Sequence, residues 1–207
     1  MRWRIIDKRN AIPPSTGDYR SWKPRLALEA ELQCVYCCIH ESRFGGIRNF
    51  HVEHFKPQSK FPLLRNEYSN LFYACGVCNS FKSDDWPADL DPGDLTSPGY
   101  PSPADVDYND FLHINESTGE IHGDGVTGRY LVERLHLNRG HLVALRALAG
   151  LFAKLKDFEN SISASIESNL VEYEFKDEVI RILLRIATSL RAYSEVRPYS
   201  PDQLRRN

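Results

Sequence analysis

The chain has 207 residues, enough for one sizeable core or for one core with a small satellite. Its hydrophobic share of 42% and charged share of 26% are ordinary for a globular protein, and no apolar run approaches the roughly 20 residues that span a bilayer. We therefore expect no membrane association. The basic first residues lead into Pro13 and Pro14 rather than into an apolar stretch, which argues against a secretion signal and predicts a cytoplasmic location.

The formal net charge of −2 argues against a surface coated in positive charge, but the charges are unevenly spread. The region 84–124 contains many acidic residues and no Lys or Arg. Residues 1–25 have two acidic residues, Asp7 and Asp18, against seven basic ones: Arg2, Arg4, Lys8, Arg9, Arg20, Lys23 and Arg25. This basic stretch and the motif region described below are the parts that can attract phosphates. By itself the basic stretch would more readily fit a solvated or disordered arm.

The first half of the chain predicts a short helix, then an irregular region and a long connection. A helix is expected from Lys23 to Gln33, since Pro24 is tolerated in a first turn and RLALEAELQ favours continuation. Short β-like runs such as 49–55 follow, among glycines and turns, so order there must come from something other than a large apolar face. From Asp84 to about Tyr108, Pro, Gly, Asp and Ser predict a connection without regular structure.

The second half of the chain predicts one hairpin and then helices. FLHINESTGEI, from Phe111 to Ile121, has the pattern of two short strands around a turn. Apolar residues at helical spacing then predict three helices, one beginning near Thr127, one over 139–158 and one over 172–193. We expect these helices to pack on each other and on the preceding region.

Two Cys-x-x-Cys pairs predict a metal site. Disulfides are rare in a reducing compartment, and two matched pairs can each supply one edge of a tetrahedral Zn²⁺ site. Four thiolates close the coordination shell, so the predicted zinc is structural and its binding adds to folding. Cys38 leaves a second pairing with Cys34 open, and free cysteines in a core are the plainer alternative. The predicted ligands are Cys34, Cys37, Cys75 and Cys78.

The segment between and around the cysteine pairs carries a specific combination of motifs. HVEHFKP occupies residues 51–57, Asn70-Leu71 follows, and CGVCNSFK occupies residues 75–82. In order and type, these residues resemble the HNH endonuclease family, whose signature is an acid-His pair, then Asn-Leu, then Cys-x-x-Cys-His/Asn-x-x-Lys. The resemblance covers about a quarter of the chain, residues 34–82. It implies an α+β protein with a zinc-stabilised ββα-metal module followed by a mostly α-helical region.

The resemblance also implies a role for each matching residue. His54 would be the general base that activates water, and Asn70 would orient the hairpin and the base through hydrogen bonds. Glu53 and Asn79 would hold a catalytic divalent ion, and their oxygen ligands favour Mg²⁺ or Mn²⁺. The role of His51, at the start of the run, stays open. Lys56 and Lys82 are candidates for contacts with nucleic acid, although a solvated surface lysine is nearly as good an interpretation of Lys82.

The predicted function is metal-dependent hydrolysis of DNA phosphodiester bonds. A looser similarity to the HNH proteins of bacterial antiphage defence, of the Septu system and of retrons, implies an ATPase partner. The helical part after Tyr130 is a candidate docking surface, although the apolar faces of these helices more readily fit completion of the core. Alternatives are a zinc-dependent binding or scaffold module without cleavage, an RNA-directed nuclease and an inactive HNH domain. The predicted divisions are an arm and helix at 1–33, the HNH module at 34–86, a connection at 87–110 and a mostly helical domain at 111–207.

Overall fold

The computed structural model describes residues 2–8, 12–91, 94–167 and 174–195. Arg9 and the first two residues of the helix predicted over 172–193 lie outside these residues. The strands are β1 (Phe50–His54), β2 (Leu71–Cys75), β3 (Leu112–Ile114) and β4 (Ile121–Gly123). The helices are α1 (Lys23–Glu29), α2 (Gly76–Lys82), α3 (Gly125–Arg134), α4 (Gly140–Glu167) and α5 (Glu174–Glu195). The expected mixed α+β class is confirmed.

The chain divides into two compact units. The first comprises Met1–His113 and Ile121–Leu137, and the second comprises Ile114–Glu120 and Asn138–Asn207. None of the described helices is both long and apolar enough to cross a membrane.

A hairpin followed directly by a helix forms the centre of the first unit. Strands β1 and β2 pair antiparallel, with Phe50 opposite Cys75 and His54 opposite Leu71. Every residue of β2 is buried, and the Phe50 and Tyr73 rings stack with their centroids 4.6 Å apart. Helix α2 starts at the residue after β2, so the order is strand, strand, helix. Helix α2 consequently lies beside β1, with Gly76 next to His51 and the Lys82 side chain at the His54 carbonyl.

Helix α1 is shorter than the sequence predicts. It begins at Lys23, with Pro24 in its first turn, and ends at Glu29 rather than at Gln33. Glu31 and Leu32 have φ values of 47° and 61°, in the left-handed region that a right-handed helix does not enter. The chain therefore turns away from the helix axis and leads to Cys34.

The predicted connection lies in the first unit, as do the first two residues of β3 and all of β4. Wherever the structure describes residues 83–107, it shows no helix or strand, as predicted. Strands β3 and β4 then pair, and α3 follows. Gly123, the last residue of β4, allows the strand to pass close to α3, because a Cβ atom there would lie 2.1 Å from the backbone of Gly128.

Helices α4 and α5 form most of the second unit. In α4, Leu142 and Leu145 are buried, and in α5 Ile186 is buried. Helix α4 runs to Glu167, beyond the predicted end at residue 158. A second set of apolar side chains on α5 is instead exposed: Ile180, Leu183, Leu184 and Leu190.

Candidate zinc centre and active site

The four predicted zinc ligands lie together in the interior of the first unit. The sulfur atoms of Cys34, Cys37, Cys75 and Cys78 all lie within 4.8 Å of one another. The Sγ atoms of Cys37 and Cys75 are 3.8 Å apart. That distance equals the edge of about 3.8 Å expected for a tetrahedron of sulfurs around Zn²⁺ at Zn–S of about 2.3 Å. The donor set thus fits a structural zinc.

Local backbone geometry shapes both cysteine pairs. Cys38 has a φ of 58°, and its amide donates to the Cys34 carbonyl at 2.9 Å, which closes the first turn. In the second turn the Cys78 amide donates to the Cys75 sulfur at 3.4 Å. The sulfur cluster includes Cys37 and not Cys38, as expected if Cys37 is the ligand and Cys38 belongs to the turn.

An open cleft of about 340 Å³ lies beside the hairpin and α2. Its lining includes three residues of β1 that the motif singled out, His51, Glu53 and His54, together with Asn79 of α2. Tyr19, Gln58, Ser59 and Asp84 are also among the lining residues. The structure therefore brings the predicted base and both predicted ligands of the divalent ion to one cleft.

His54 is the last residue of β1 and is held at the cleft by its neighbours. Its Nε2 lies 3.0 Å from the Arg65 carbonyl oxygen, and its ring meets the Tyr19 ring edge to face at 4.8 Å between centroids. As the donor to that carbonyl, Nε2 carries the proton, which leaves Nδ1 with a lone pair. Burial lowers the pKa of His54 below its usual value, the Arg65 carbonyl only partly opposing this. A neutral imidazole with one basic nitrogen is what a general base requires.

Glu53 and Lys82 form a buried ion pair. The Lys82 Nζ lies 2.7 Å from Glu53 Oε1 and donates to the His54 carbonyl oxygen at 3.1 Å. The side chains are 3% and 0% exposed. The Tyr36 hydroxyl donates to the same Glu53 oxygen at 3.1 Å. Burial raises the pKa of the Glu53 carboxyl, and the Lys82 ammonium acts in the opposite direction.

The predicted contact of Lys82 with nucleic acid does not fit this position. The spacing of Lys82 from Asn79 correctly indicated that both residues lie on one helix. It did not indicate that the Lys82 side chain faces the interior. Lys82 points into the interior, where Glu53 neutralises it and the rings of Tyr100 and Trp86 lie 5.2 and 5.8 Å from Nζ. Its position suits a residue that holds the Glu53 carboxylate and the end of β1.

Asn70 binds the loop that follows His54. Its Oδ1 accepts from the Lys56 amide at 2.7 Å, and its Nδ2 donates to the carbonyls of Lys56 and Leu64 at 3.1 and 3.3 Å. The Asn70 carbonyl also accepts from the Phe55 amide at 2.9 Å. Asn70 is buried, and each of these partners is backbone. This is the geometry of a positioning residue, the kind of role that the sequence predicts.

His51 and Asn79 lie side by side in the cleft. Asn79 Nδ2 lies 3.3 Å from His51 Nδ1. The His51 ring also covers Gly76, at which a Cβ atom would lie 3.3 Å from Nε2. Because side chains alternate along a strand, His51 shares its face of β1 with Glu53. Three groups that can bind a divalent ion, the Glu53 carboxylate, the Asn79 amide oxygen and the His51 imidazole, thus line one wall of the cleft.

Lys56 lies near the cleft but is engaged with other residues. Its ammonium is 2.6 Å from Asp89 and lies over the rings of Phe61 and Trp86. Its side chain is 33% exposed, so a contact with nucleic acid is compatible with the geometry and stays a prediction.

The sequence motifs missed two residues that border His54. Tyr19 lies upstream of the motif region, and Arg65 lies in the loop between the strands. No pattern in the sequence marks either residue. The basic character of residues 1–25 was the one available signal, and it did not indicate which side chain would reach the cleft.

Comparisons with known proteins support the assignment of the motif region. No curated protein and no solved structure matches the chain. Residues 34–85, which hold the four-cysteine cluster, the hairpin and α2, match the family model described as HNH endonuclease, and this segment thereby supports a nuclease type of function.

Proposed function

We propose that the chain is a metal-dependent endonuclease that hydrolyses phosphodiester bonds of DNA, with His54 as the general base. The observation that carries the proposal is the position of His54. It stands at the end of β1 in an open cleft, with its Nε2 at the Arg65 carbonyl and its basic Nδ1 available for a proton. The match of this segment to the HNH endonuclease model supports the type of reaction.

In this mechanism His54 Nδ1 accepts a proton from the attacking water while the Arg65 carbonyl holds the ring in one orientation. Asn70 fixes the loop after His54 through its three side-chain bonds to backbone, and so keeps the base in place. Lys82 holds the Glu53 carboxylate and the His54 carbonyl from the interior. Each of these contacts reduces the motion of the base before the reaction.

Glu53 and Asn79 are the proposed ligands of a catalytic Mg²⁺ or Mn²⁺, with His51 as a candidate third ligand. A divalent ion bound there would neutralise charge on the phosphate and on the leaving oxygen. The mixed oxygen and nitrogen set fits Mn²⁺ as well as Mg²⁺. Glu53 Oε1 already accepts from Lys82 and Tyr36, so the carboxylate would meet an ion through its other oxygen.

The first test is plasmid cleavage by the purified, zinc-loaded chain with Mg²⁺, Mn²⁺ or EDTA. We expect metal-dependent cutting that His54→Ala abolishes, with zinc content and thermal unfolding unchanged. His113→Ala is a matched control, because His113 is an exposed histidine on β3 that pairs with Asp124. Cutting by His54→Ala in a contamination-controlled preparation would remove His54 as the base. DNA binding without cutting by the unmodified chain and by the variants would instead leave two interpretations, a zinc-dependent binding module or a nuclease that is silent without its partner.

We further propose a cytoplasmic role in antiphage defence together with an ATPase partner. The support is the motif similarity given above and the exposed apolar side chains of α5. Ile180, Leu183 and Leu184 are 54%, 52% and 61% exposed, which is unusual for three neighbouring large residues and fits a protein contact. A Leu183→Ser, Leu184→Ser variant should cleave plasmid normally yet lose phage restriction in cells that contain the partner. Restriction that survives this variant would exclude α5 as the contact.

A further inference from the structure

We propose that Tyr19, Arg20 and Arg65 form a clamp that binds the DNA strand beside the bond that is cut. The guanidinium groups of Arg20 and Arg65 would hold a backbone phosphate, and a neighbouring nucleotide would stack on the Tyr19 ring. This proposal rests on the proposed function, because it concerns the substrate of the same cleft. Tyr19 and Arg20 lie outside residues 34–85, the segment that matches the HNH model.

The three side chains are grouped around the Tyr19 ring, next to the proposed base. The Tyr19 ring contacts the His54 ring at 4.8 Å between centroids and lines the cleft. The guanidinium carbons of Arg20 and Arg65 lie 5.0 and 5.4 Å from the centroid of the Tyr19 ring. A strand entering the cleft to reach His54 therefore passes Tyr19 and two positive charges.

The turn that carries Tyr19 and Arg20 is anchored in the unit. The Tyr19 amide donates to Asn66 Oδ1 at 3.3 Å, which ties the turn to the loop beside Arg65. Three residues later Trp22 is buried; its Nε1 donates to the Thr16 carbonyl at 3.0 Å. The position of Tyr19 at His54 is thus supported by contacts on both sides of it.

The positive charges of the clamp are accessible. The Arg20 side chain is 67% exposed, and its ion pair with Asp18 is long, at 3.6 Å. Arg65 is exposed and, among the described residues, has no carboxylate in ion-pair contact. Neither guanidinium is therefore neutralised in the way that Glu53 neutralises Lys82.

The chemistry of the clamp matches a nucleic-acid backbone. Guanidinium groups bind phosphate oxygens through two parallel hydrogen bonds, and they also stack on aromatic rings. Aromatic side chains stack on bases of any type, so this contact needs no particular sequence. Lys82 is buried, so the clamp supplies positive charge beside the base that Lys82 cannot provide.

The clamp can be tested by the salt dependence of DNA binding. Fluorescence anisotropy would measure the affinity of the full, zinc-loaded chain for a labelled DNA duplex across a series of NaCl concentrations, without added Mg²⁺. For Arg20→Gln, Arg65→Gln we expect affinity at least about tenfold weaker, and a slope of log affinity against log salt that is smaller by about two. Arg129→Gln, which changes an exposed arginine of α3 outside the cleft lining, is the matched control.

Tyr19 is tested by a pair of substitutions. Tyr19→Ala should weaken binding about tenfold, within the range for one lost stacking contact, whereas Tyr19→Phe keeps the ring and should bind normally. In cleavage assays the double arginine variant should raise KM with little change in kcat. Normal affinity and an unchanged salt slope in the double variant would overturn the clamp, even if the enzyme cuts DNA. Clamp-dependent binding without cutting would support the clamp and exclude cleavage by the chain on its own.

Discussion

Replacing Lys82 with methionine tests how the buried ion pair contributes to stability. In the wild-type chain the Lys82 ammonium lies 2.7 Å from Glu53 Oε1, and the two side chains are 0% and 3% exposed. Methionine keeps much of the volume but leaves the Glu53 carboxylate buried without its charge partner. Removing one member of a buried pair costs about 3–5 kcal/mol of unfolding free energy. We expect a loss of that size for Lys82→Met at neutral pH.

The control is the double variant Glu53→Gln, Lys82→Met, in which both charges are absent. Replacing a whole buried pair by uncharged groups is often neutral, so the double variant should regain most of the lost stability. The Lys82→Met deficit should also shrink in acid, because the unpaired Glu53 folds most easily when protonated. The loss of unfolding free energy in Lys82→Met should grow as the pH rises above the usual pKa of a glutamate carboxyl, about 4.3.

Urea denaturation of the zinc-loaded proteins, followed by far-UV circular dichroism at several pH values, would measure these differences. A Lys82→Met loss below about 1 kcal/mol, typical of an exposed pair, would refute the reasoning. A double variant no more stable than the single variant would refute it as well.

Three further predictions concern the zinc, the loop and an acidic residue. Cys78→Ser opens the sulfur cluster, so zinc content and the melting temperature should both fall; a variant that melts normally without zinc would exclude a structural metal. Asn70→Ala leaves three backbone groups without their partner, which should lower the free energy of unfolding by about 2 kcal/mol. It should also lower kcat while KM changes little. In steady-state kinetics, a raised KM with an unchanged kcat would show instead that Asn70 binds substrate. Burial raises the pKa of Asp85, but hydrogen bonds from Tyr130 and Tyr100 and the charge of Arg134 outweigh it, so the net pKa lies below its usual value. The stability that Asp85 adds should therefore be present at neutral pH and be lost as the pH falls through that lowered pKa, so acid titration of Asp85→Asn should converge with wild type at low pH.

The zinc cluster could be predicted from sequence because its chemistry is local. Each Cys-x-x-Cys pair forms its own turn, and two such pairs have few other uses in a reducing compartment. The hairpin and the helix that follows it were implied by the resemblance of residues 51–82 to the HNH family. The resemblance depends on the order and type of the residues in each motif, which a sequence displays directly.

Other features depend on contacts between distant residues, which the sequence does not display. The end of α1 is set by two residues with positive φ, Glu31 and Leu32, and neither is a glycine. The inward direction of Lys82 depends on how α2 packs on β1. Tyr19 reaches His54 through a turn that begins before α1 and is anchored by Trp22. No periodic pattern predicts these arrangements.

The bonds of Asn70 determine how this region can vary. The Asn70 side chain binds the Lys56 backbone and its carbonyl accepts from the Phe55 amide, so the loop of residues 55–70 is held at both ends. Leu63, on this loop, is 95% exposed. Lengthening a loop whose ends are already held costs little, about 0.6 kcal/mol for each doubling. The tip can therefore gain or lose residues while His54 stays in register. This is the part of the chain in which new substrate contacts can arise with the least risk to folding.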